Sequence, residues 1–333
     1  MAMKKFINDP KNLTPELLEG FCLAYADKVA LKNDKLVCRA RPKDPSKVAL
    51  VTLGGAGHEP ALSGFVGEGM LDISVVGDIF AAPAAPKVFD ALKQVNRPAG
   101  TLLVVLNHAG DVMSSNIAMQ MAKKAGLNVK SILTHEDIAP GANAPAENRR
   151  GLVGCIPLYK VAGAAAEAGK SLDEVLAVAE RFNNNMATLA VALTTATHPA
   201  SGQSIFALAD DEMEIGMGQH GEAGTGRSKM KTADQTAEIM VTQLIEAVKA
   251  KAGDKVLVII NGAGATTLME QFIVMRRVGQ VLAQKGIVLA RARVGEYLTV
   301  QEMGGFQMFV AKMDDEMLKY WDASCDTPYM TVR

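Results

Sequence analysis

The fold of this chain is decided by the stretch Lys47-Val48-Ala49-Leu50-Val51-Thr52-Leu53-Gly54-Gly55-Ala56-Gly57-His58-Glu59-Pro60. Its first part is almost continuously apolar, which predicts a buried strand, and a glycine-rich loop follows directly. Segments of the same kind, in which a strand, a loop and a helix follow one another, recur from about residue 48 onward. Such repeats predict a mostly parallel sheet covered by helices, and therefore an α/β fold.

Further elements are predicted on both sides of the run Asn183-Asn184-Asn185, which we interpret as a domain boundary. The first domain, residues 1–185, has strands at 73–76, 101–106 and 129–133, helices at 86–95, 115–125, 156–169 and 172–182, and a long loop at 136–150. The second domain, residues 186–333, has strands at 187–193, 214–218, 255–260, 287–294 and 306–311, and helices at 232–251 and 268–284. We expect two α/β domains, each a mostly parallel or mixed sheet flanked by helices, with a final segment free to pack back on the first domain.

The composition excludes several classes of function. Lys and Arg total 35 against 36 for Asp and Glu, so a net charge of −1 provides neither a basic surface for nucleic acid nor one for anionic lipid. The N-terminus lacks the apolar core of a signal peptide, and no run of about 18 apolar residues occurs. We expect a cytoplasmic globular protein whose partners are small molecules or other proteins, with no nucleic acid and no membrane among them.

Metal and disulfide sites are not indicated by the sequence. The four cysteines are widely spaced, which favours free buried thiols over a disulfide or a metal site. The five histidines show no His-x-x-x-His spacing, so no histidine metal site is expected. The acidic runs at 210–212 and 314–316 are interpreted as solvated helix starts or turns.

Two of the five histidines are framed by glycine. His58 follows Gly54-Gly55-Ala56-Gly57, and His220 stands in Met217-Gly218-Gln219-His220-Gly221-Glu222. Imidazole can act as a base, a nucleophile or a metal ligand near neutral pH, and glycine lets backbone and substrate approach closely. Each histidine has an equally good interpretation as a loop or turn residue. The glycine loop itself either cradles an anion or simply connects a strand to a helix that starts at Glu59-Pro60.

Ligands of parallel sheets bind outside the carboxyl ends of the strands, where His58, Asp78 and Asp111 are predicted to lie. Asp111 follows the strand 101–106 and can accept hydrogen bonds from substrate hydroxyls. From the local sequence alone, a helix N-cap is the somewhat better interpretation of Asp111. The segment Asn261-Gly262-Ala263-Gly264 repeats the pattern, and structural packing is favoured there over a place in the cleft or in a subunit contact.

Taken together, these segments resemble the dihydroxyacetone-binding subunit of the dihydroxyacetone kinase family. The resemblance extends through nearly the whole chain. It is carried by residues 54–60, 64–71, 77–80, 107–111 and 213–222, and near the C-terminus by 297–299, 304–306, 314–316 and 327–328.

The resemblance implies a role for each site residue. In the family, the histidine equivalent to His220 bonds covalently to the carbonyl carbon of a short ketose and forms a hemiaminal. His58 is then the acid/base residue, and Asp111 binds or deprotonates the hydroxyl that is phosphorylated. The expected catalytic residues are His220, His58 and Asp111, and the expected substrate-binding positions are Gly55, Gly57, His58, Ala82, Asp111 and His220.

The resemblance also implies partners. This chain is expected to bind no metal and no nucleotide itself. Mg²⁺ and ADP or ATP are expected on a separate all-helical kinase subunit, which a phosphohistidine carrier recharges. A homodimer is expected on the same grounds.

Several positions depart from the family pattern. Hydroxyl side chains are missing at Leu53, Ala56 and Ala82, and His108-Ala109 stands where Tyr-Thr is usual. Each lost hydrogen bond removes about 0.5 to 1.5 kcal/mol. The alternatives are therefore a kinase subunit for another short ketose, such as a tetrulose, or a ketose-binding co-regulator without catalytic activity.

Overall fold

The computed structural model describes residues 4–222, 224 and 226–333. Its helices are α1 (Leu13–Ala24), α2 (Ala85–Gln94), α3 (Ala109–Lys124), α4 (Cys155–Glu167), α5 (Leu172–Asn183), α6 (Ala233–Ala247), α7 (Leu268–Gln284) and α8 (Asp315–Asp322). Its strands are β1 (Val29–Lys32), β2 (Leu36–Arg39), β3 (Ala49–Ala56), β4 (Ile73–Ile79), β5 (Thr101–Leu106), β6 (Val129–Thr134), β7 (Met186–Thr194), β8 (Glu212–Ile215), β9 (Arg227–Lys229), β10 (Lys255–Gly262), β11 (Val288–Gly295), β12 (Gly304–Met313), β13 (Cys325–Asp326) and β14 (Thr331–Val332).

The first sheet has the strand order β1-β2-β4-β3-β5-β6, and its strands β4, β3, β5 and β6 are parallel to one another. Helices α2 and α3 cover one face, while α1, α4 and α5 cover the other. Side chains of β5 alternate between the two faces of the sheet. Because helices cover both faces, every position of β5 is buried and nearly every one is apolar. The mostly parallel sheet expected from the sequence is therefore confirmed.

The second sheet has the strand order β11-β10-β12-β7-β8-β9 and is mixed. Only β10 and β11 are parallel, and the other neighbours in this sheet are antiparallel. Helices α6 and α7 cover one face. The other face contributes Phe309 to the apolar cluster of the first sheet, where its ring stacks on Phe182 of α5 at 6.5 Å. An α/β fold with two sheets flanked by helices is thus confirmed, whereas the division at residue 185 stays a prediction, because one apolar cluster spans both sheets.

Four predicted boundaries were wrong. Strand β3 continues through the first two loop glycines to Ala56, because the parallel ladder to β4 pairs Gly54 with Val76 and Ala56 with Ile79. Strand β4 therefore includes Asp78, which lies in no loop; its carboxylate is exposed and pairs with Lys35 at 2.5 Å. Helix α3 begins at Ala109, six residues before the predicted start. Glu59-Pro60 starts no helix; a turn follows it, and then a short 3-10 helix.

The sequence prediction missed the elements at both ends of the chain. Helix α1 buries only Thr14 and Leu18, and β1 and β2 have four residues each, so their apolar periodicity is weak. The final segment contacts the loops of the first sheet, where the Asp326 amide donates to the Glu68 carbonyl at 2.9 Å.

All four cysteines are free thiols, and only Cys22 is not fully buried. In the part of the chain that the structure describes, each helix is too short or too polar to serve as a transmembrane span.

Candidate functional site

The predicted site residues meet in a small cavity at the carboxyl ends of β3, β4 and β5. Loops from the second sheet close it from the other side. Its volume is about 30 Å³, far below the roughly 300 to 1,000 Å³ of pockets that hold drug-sized ligands. It therefore suits a ligand of a few heavy atoms and not a nucleotide. Its lining comprises Gly54, Gly55, His58, Leu62, Phe80, Ala81, Ala82, Leu106, Asp111, Gln219, His220 and Leu298.

Two glycines allow the close backbone approach that shapes this cavity. A Cβ atom at Gly55 would lie 2.7 Å from the Ala81 amide nitrogen, so only glycine fits between β3 and the turn after β4. Gly57 has a φ of +100°, and a Cβ atom there would lie 2.7 Å from the Phe80 ring. Gly55 lines the cavity, but Gly57 does not, and its amide donates to the Glu59 carboxylate at 2.9 Å.

His58 is held as a neutral imidazole. Its Nδ1 lies 2.8 Å from the carbonyl oxygen of Thr299, in the loop after β11, and a carbonyl can only accept, so Nδ1 carries the proton. Burial, and then the proximity of His220, lowers the pKa of His58 to about 3. Its Nε2 atom therefore has a free lone pair, which points toward Nε2 of His220 at 3.1 Å.

His220 is half-buried and lies between His58 and Glu222. Its Nδ1 is 3.2 Å from Oε1 of Glu222, and its backbone amide donates to Oε2 of the same carboxylate at 2.9 Å. Burial raises the pKa of the Glu222 carboxyl, but the hydrogen bonds and charge of His220 outweigh that effect and hold this pKa well below its usual range. Glu222 is thus an ionised group that orients the His220 ring, in the way that a carboxylate orients the histidine of a catalytic triad.

The two contacts of His220 compete for one proton. If His220 is neutral and donates from Nε2 to His58, its Nδ1 lone pair faces the Glu222 carboxylate. If it donates from Nδ1 to Glu222, its Nε2 lone pair is free toward the cavity but faces the lone pair of His58. The second tautomer makes Nε2 a nucleophile.

Asp111 lies in the first turn of α3 with its carboxyl group buried. Its Oδ1 has no hydrogen-bond partner among the described residues. Burial, partly offset by His220, raises the pKa of Asp111 to about 7. A carboxyl group with a pKa near neutral pH is suited to proton transfer. The N-cap interpretation of Asp111 was wrong, because the turn after β5 has only two residues and places His108 at the N-cap.

His108 lies beside His220 in the same site, although it has no flanking glycines of the kind that indicated His58 and His220. Its ring centroid lies 5.2 Å from that of His220, and its Nε2 donates to the Gly151 carbonyl at 2.8 Å. Phe80, at a left-handed φ of +55°, places its ring against His58 and His220. His108 directly precedes a helix at the carboxyl end of β5, and this position was the one signal that pointed to it.

His108, His220 and Glu222 are also the described residues whose ligand atoms gather closely enough to hold a metal ion, all within 4.8 Å of one another. The sequence expectation of no metal rested on spacing along the chain. These ligands come from loops of different sheets, which spacing along the chain does not reveal.

The family model described as the Dak1 domain matches residues 19–329. The chain belongs to the Dak1 family. A relative at 40% identity, with 95% of each chain covered, is the dihydroxyacetone-binding subunit DhaK of a PTS-dependent dihydroxyacetone kinase of Lactococcus lactis. An L-erythrulose kinase of Pectobacterium atrosepticum is 34% identical over 98% of this chain but only 56% of its own length. The solved structure of a dihydroxyacetone kinase operon co-activator, DhaQ, superposes with a TM-score of 0.90 at 30% identity, over 96% of this chain and 98% of its own.

The departures of this Dak1 chain from the family pattern do not all reach the cavity. Ala82 lines it. Leu53 is buried in the core against α2 and α3, Ala56 is buried in the opposite core, and Ala109 is exposed at the start of α3. Of these four positions, Ala82 alone lines the cavity, so the resemblance implies the loss of one hydroxyl from its wall. The Asn261 side chain is fully buried and bonds to the backbone of Leu298, so this segment has the structural role that the sequence favoured.

Proposed function

We propose that this Dak1 chain is the ketose-binding subunit of a dihydroxyacetone kinase. The observation that carries the proposal is the meeting of His220, His58 and Asp111 in one cavity of about 30 Å³. Two imidazoles whose Nε2 atoms lie 3.1 Å apart line this small cavity, together with a carboxyl oxygen that has no partner among the described residues. The name of the Lactococcus lactis relative supports dihydroxyacetone as the ligand.

In the proposed capture step, His220 donates from Nδ1 to Glu222 and attacks the ketose carbonyl carbon with the lone pair of Nε2. One bond forms between nitrogen and carbon, the π electrons of the carbonyl move to its oxygen, and that oxygen takes a proton from solvent. The positive charge left on the ring is stabilised by the ionised Glu222 carboxylate at 3.2 Å. Polyols such as glycerol are excluded because they have no electrophilic carbon.

In the proposed transfer step, Asp111 accepts the proton of the terminal hydroxyl as the hydroxyl oxygen attacks the phosphoryl group. His58 assists as a second acceptor, since its Nε2 lone pair lies 3.1 Å from Nε2 of His220, the atom to which the ketose is bound. The phosphoryl group comes from the nucleotide of a separate subunit, as the family resemblance implies, and the small cavity is consistent with this arrangement. Transfer between bound groups is largely a matter of positioning, which the covalent anchor supplies. The partner subunit would hold Mg²⁺ and would be recharged by a phosphohistidine carrier.

Two specific observations favour alternatives. The missing hydroxyl at Ala82 and the similarity to an L-erythrulose kinase favour a tetrulose as substrate. The likeness to a co-activator supports, as a second alternative, a ketose sensor that transfers no phosphate.

Reconstitution with a nucleotide-loaded partner subunit separates these functions. We expect sustained formation of ketose phosphate with wild-type chain and its loss with Asp111→Asn. Asp78→Asn is the matched control, since Asp78 is exposed on the neighbouring strand and outside the cavity. Comparing dihydroxyacetone with D- and L-erythrulose identifies the substrate. Ketose binding without any phosphate transfer would replace the kinase assignment with the sensor assignment.

A further inference from the structure

Nδ1 of His220 lies on the side of the ring opposite to Nε2, the proposed point of ketose attack. Two further electron-pair donors, from Glu222 and His108, lie near this Nδ1 atom. Oε1 of Glu222 lies 3.2 Å from Nδ1 of His220 and 3.9 Å from Nδ1 of His108. All three ligand atoms lie within 4.8 Å of one another. Two imidazoles and a carboxylate are a common ligand set for divalent transition metals.

Hydrogen bonds to the far nitrogens set the histidine tautomers that a metal requires. Nε2 of His108 donates to the Gly151 carbonyl at 2.8 Å, which leaves Nδ1 with its lone pair toward Glu222. The Gln219 side chain also contacts this Nε2, and its Oε1 has no partner within the described part of the chain, so a half turn of the amide lets that oxygen accept as well. In the His220 tautomer that carries its proton on Nε2, this nitrogen donates to His58, whose own proton is held by Thr299, and Nδ1 is left free for a metal. Such outer hydrogen bonds are the usual support of metal-binding histidines.

We propose that His108, His220 and Glu222 form a binding site for a Zn²⁺-type divalent transition metal ion, and that metal and ketose exclude each other. Tetrahedral Zn²⁺ with bonds of about 2.1 Å places its ligands about 3.4 Å apart. The pair of His220 and Glu222 already has about this spacing. The His108 ring needs to approach Glu222 by about half an ångström and also to approach His220, whose ligand atom lies within 4.8 Å of its own. Solvent supplies the fourth ligand.

The charge around the cluster is compatible with a cation. Arg150 lies 3.9 Å from Glu222, but its guanidinium also pairs with the buried Asp137 at 2.6 Å, so its charge is largely neutralised there. In the His220 tautomer that donates from Nε2, a metal ion also removes the unfavourable contact between the Nδ1 lone pair and the Glu222 carboxylate.

Exclusion of the ketose follows from the tautomers. The metal takes the Nδ1 lone pair of His220 and fixes the ring proton on Nε2. Ketose capture needs the opposite arrangement, with the proton on Nδ1 and the lone pair on Nε2. The metal site rests on geometry alone, whereas the exclusion rests also on the proposed capture at His220.

The metal site is tested by titrating the full chain with ZnCl₂ in a calorimeter and with CoCl₂ by visible absorption. We expect one ion per chain, and an affinity at least about tenfold weaker in His108→Phe and Glu222→Gln. His135→Asn is the matched control, since His135 lies outside the cluster, and its affinity should equal that of the wild type. Glu222 is partly exposed, so Glu222→Gln reports on the site even where His108→Phe impairs folding. No binding by the wild type, or equal binding by a folded His108→Phe or Glu222→Gln, would refute the site.

The exclusion is tested by native mass spectrometry of the dihydroxyacetone adduct with and without Zn²⁺. We expect the adduct fraction to fall as Zn²⁺ binds and to return on chelation. An adduct that persists at saturating Zn²⁺ would refute the exclusion and leave the metal site standing. If no adduct formed without metal, the capture at His220 and the exclusion would both be refuted, and calorimetry would still decide the metal site.

Discussion

Replacement of Asp111 by Asn should stabilise the protein at high pH while abolishing phosphate transfer. The pKa of Asp111 is raised by burial from 3.8 to about 7 in the folded state. Between these values the unfolded chain has lost the proton that the folded chain retains, so raising the pH favours unfolding. Each pKa unit corresponds to about 1.4 kcal/mol, so the contribution lost between pH 5 and pH 8 is about 3 kcal/mol.

The Asn variant carries no such titration, and its free energy of unfolding relative to wild type should therefore rise by about 3 kcal/mol between pH 5 and pH 8. Urea unfolding of both proteins across this range measures the difference, with Asp78→Asn as a control at an exposed carboxylate. A difference between Asp111→Asn and wild type that does not change with pH would show that Asp111 ionises normally. The argument for Asp111 as a proton acceptor tuned to neutral pH would then be wrong.

Three further predictions follow from single contacts. Glu222→Gln should reduce the fraction of chain that forms the dihydroxyacetone adduct by about tenfold or more, because a charge-assisted hydrogen bond is worth about 1.5 to 3 kcal/mol; an unchanged adduct fraction by mass spectrometry would contradict its orienting role. Ala82→Ser should tighten dihydroxyacetone binding by about 0.5 to 1.5 kcal/mol in calorimetry, and weaker binding would show that the added hydroxyl has no substrate partner. Phe309→Ala should lower the free energy of unfolding by about 3 to 5 kcal/mol. Unfolding should remain one cooperative transition by both Trp321 fluorescence and circular dichroism, since both rings belong to the cluster that joins the sheets. Two separate transitions would contradict a shared core.

Much of the first sheet was predictable because its strands are buried on both faces. Strand β5 was predicted at its observed bounds, and β3 was predicted to precede the substrate loop. Gly54 and Gly55 were assigned to a loop, since local sequence does not show that pairing with β4 extends β3 through them. Short or exposed elements such as α1 carry too few buried side chains to give a periodic signal.

A site residue could be predicted only where its neighbours along the sequence indicated a role. Flanking glycines indicated that His58 and His220 are site residues, and a position shortly after a predicted strand indicated the same for Asp111. His108 and Glu222 were not assigned roles because their importance comes from contacts between loops of different sheets. Sequence spacing cannot report such contacts, and the same limitation led to the expectation that no metal ligands would gather.

The proposed function depends on covalent capture at His220, which native mass spectrometry with dihydroxyacetone detects. The intact chain should gain the mass of one ketose, and digestion should place the adduct on the peptide containing His220. Glycerol, which has no carbonyl carbon, should add nothing. His220→Ala should lose the adduct, while His135→Asn should retain it. An adduct that survives in His220→Ala, or the absence of an adduct on the wild type, would rule out capture at His220.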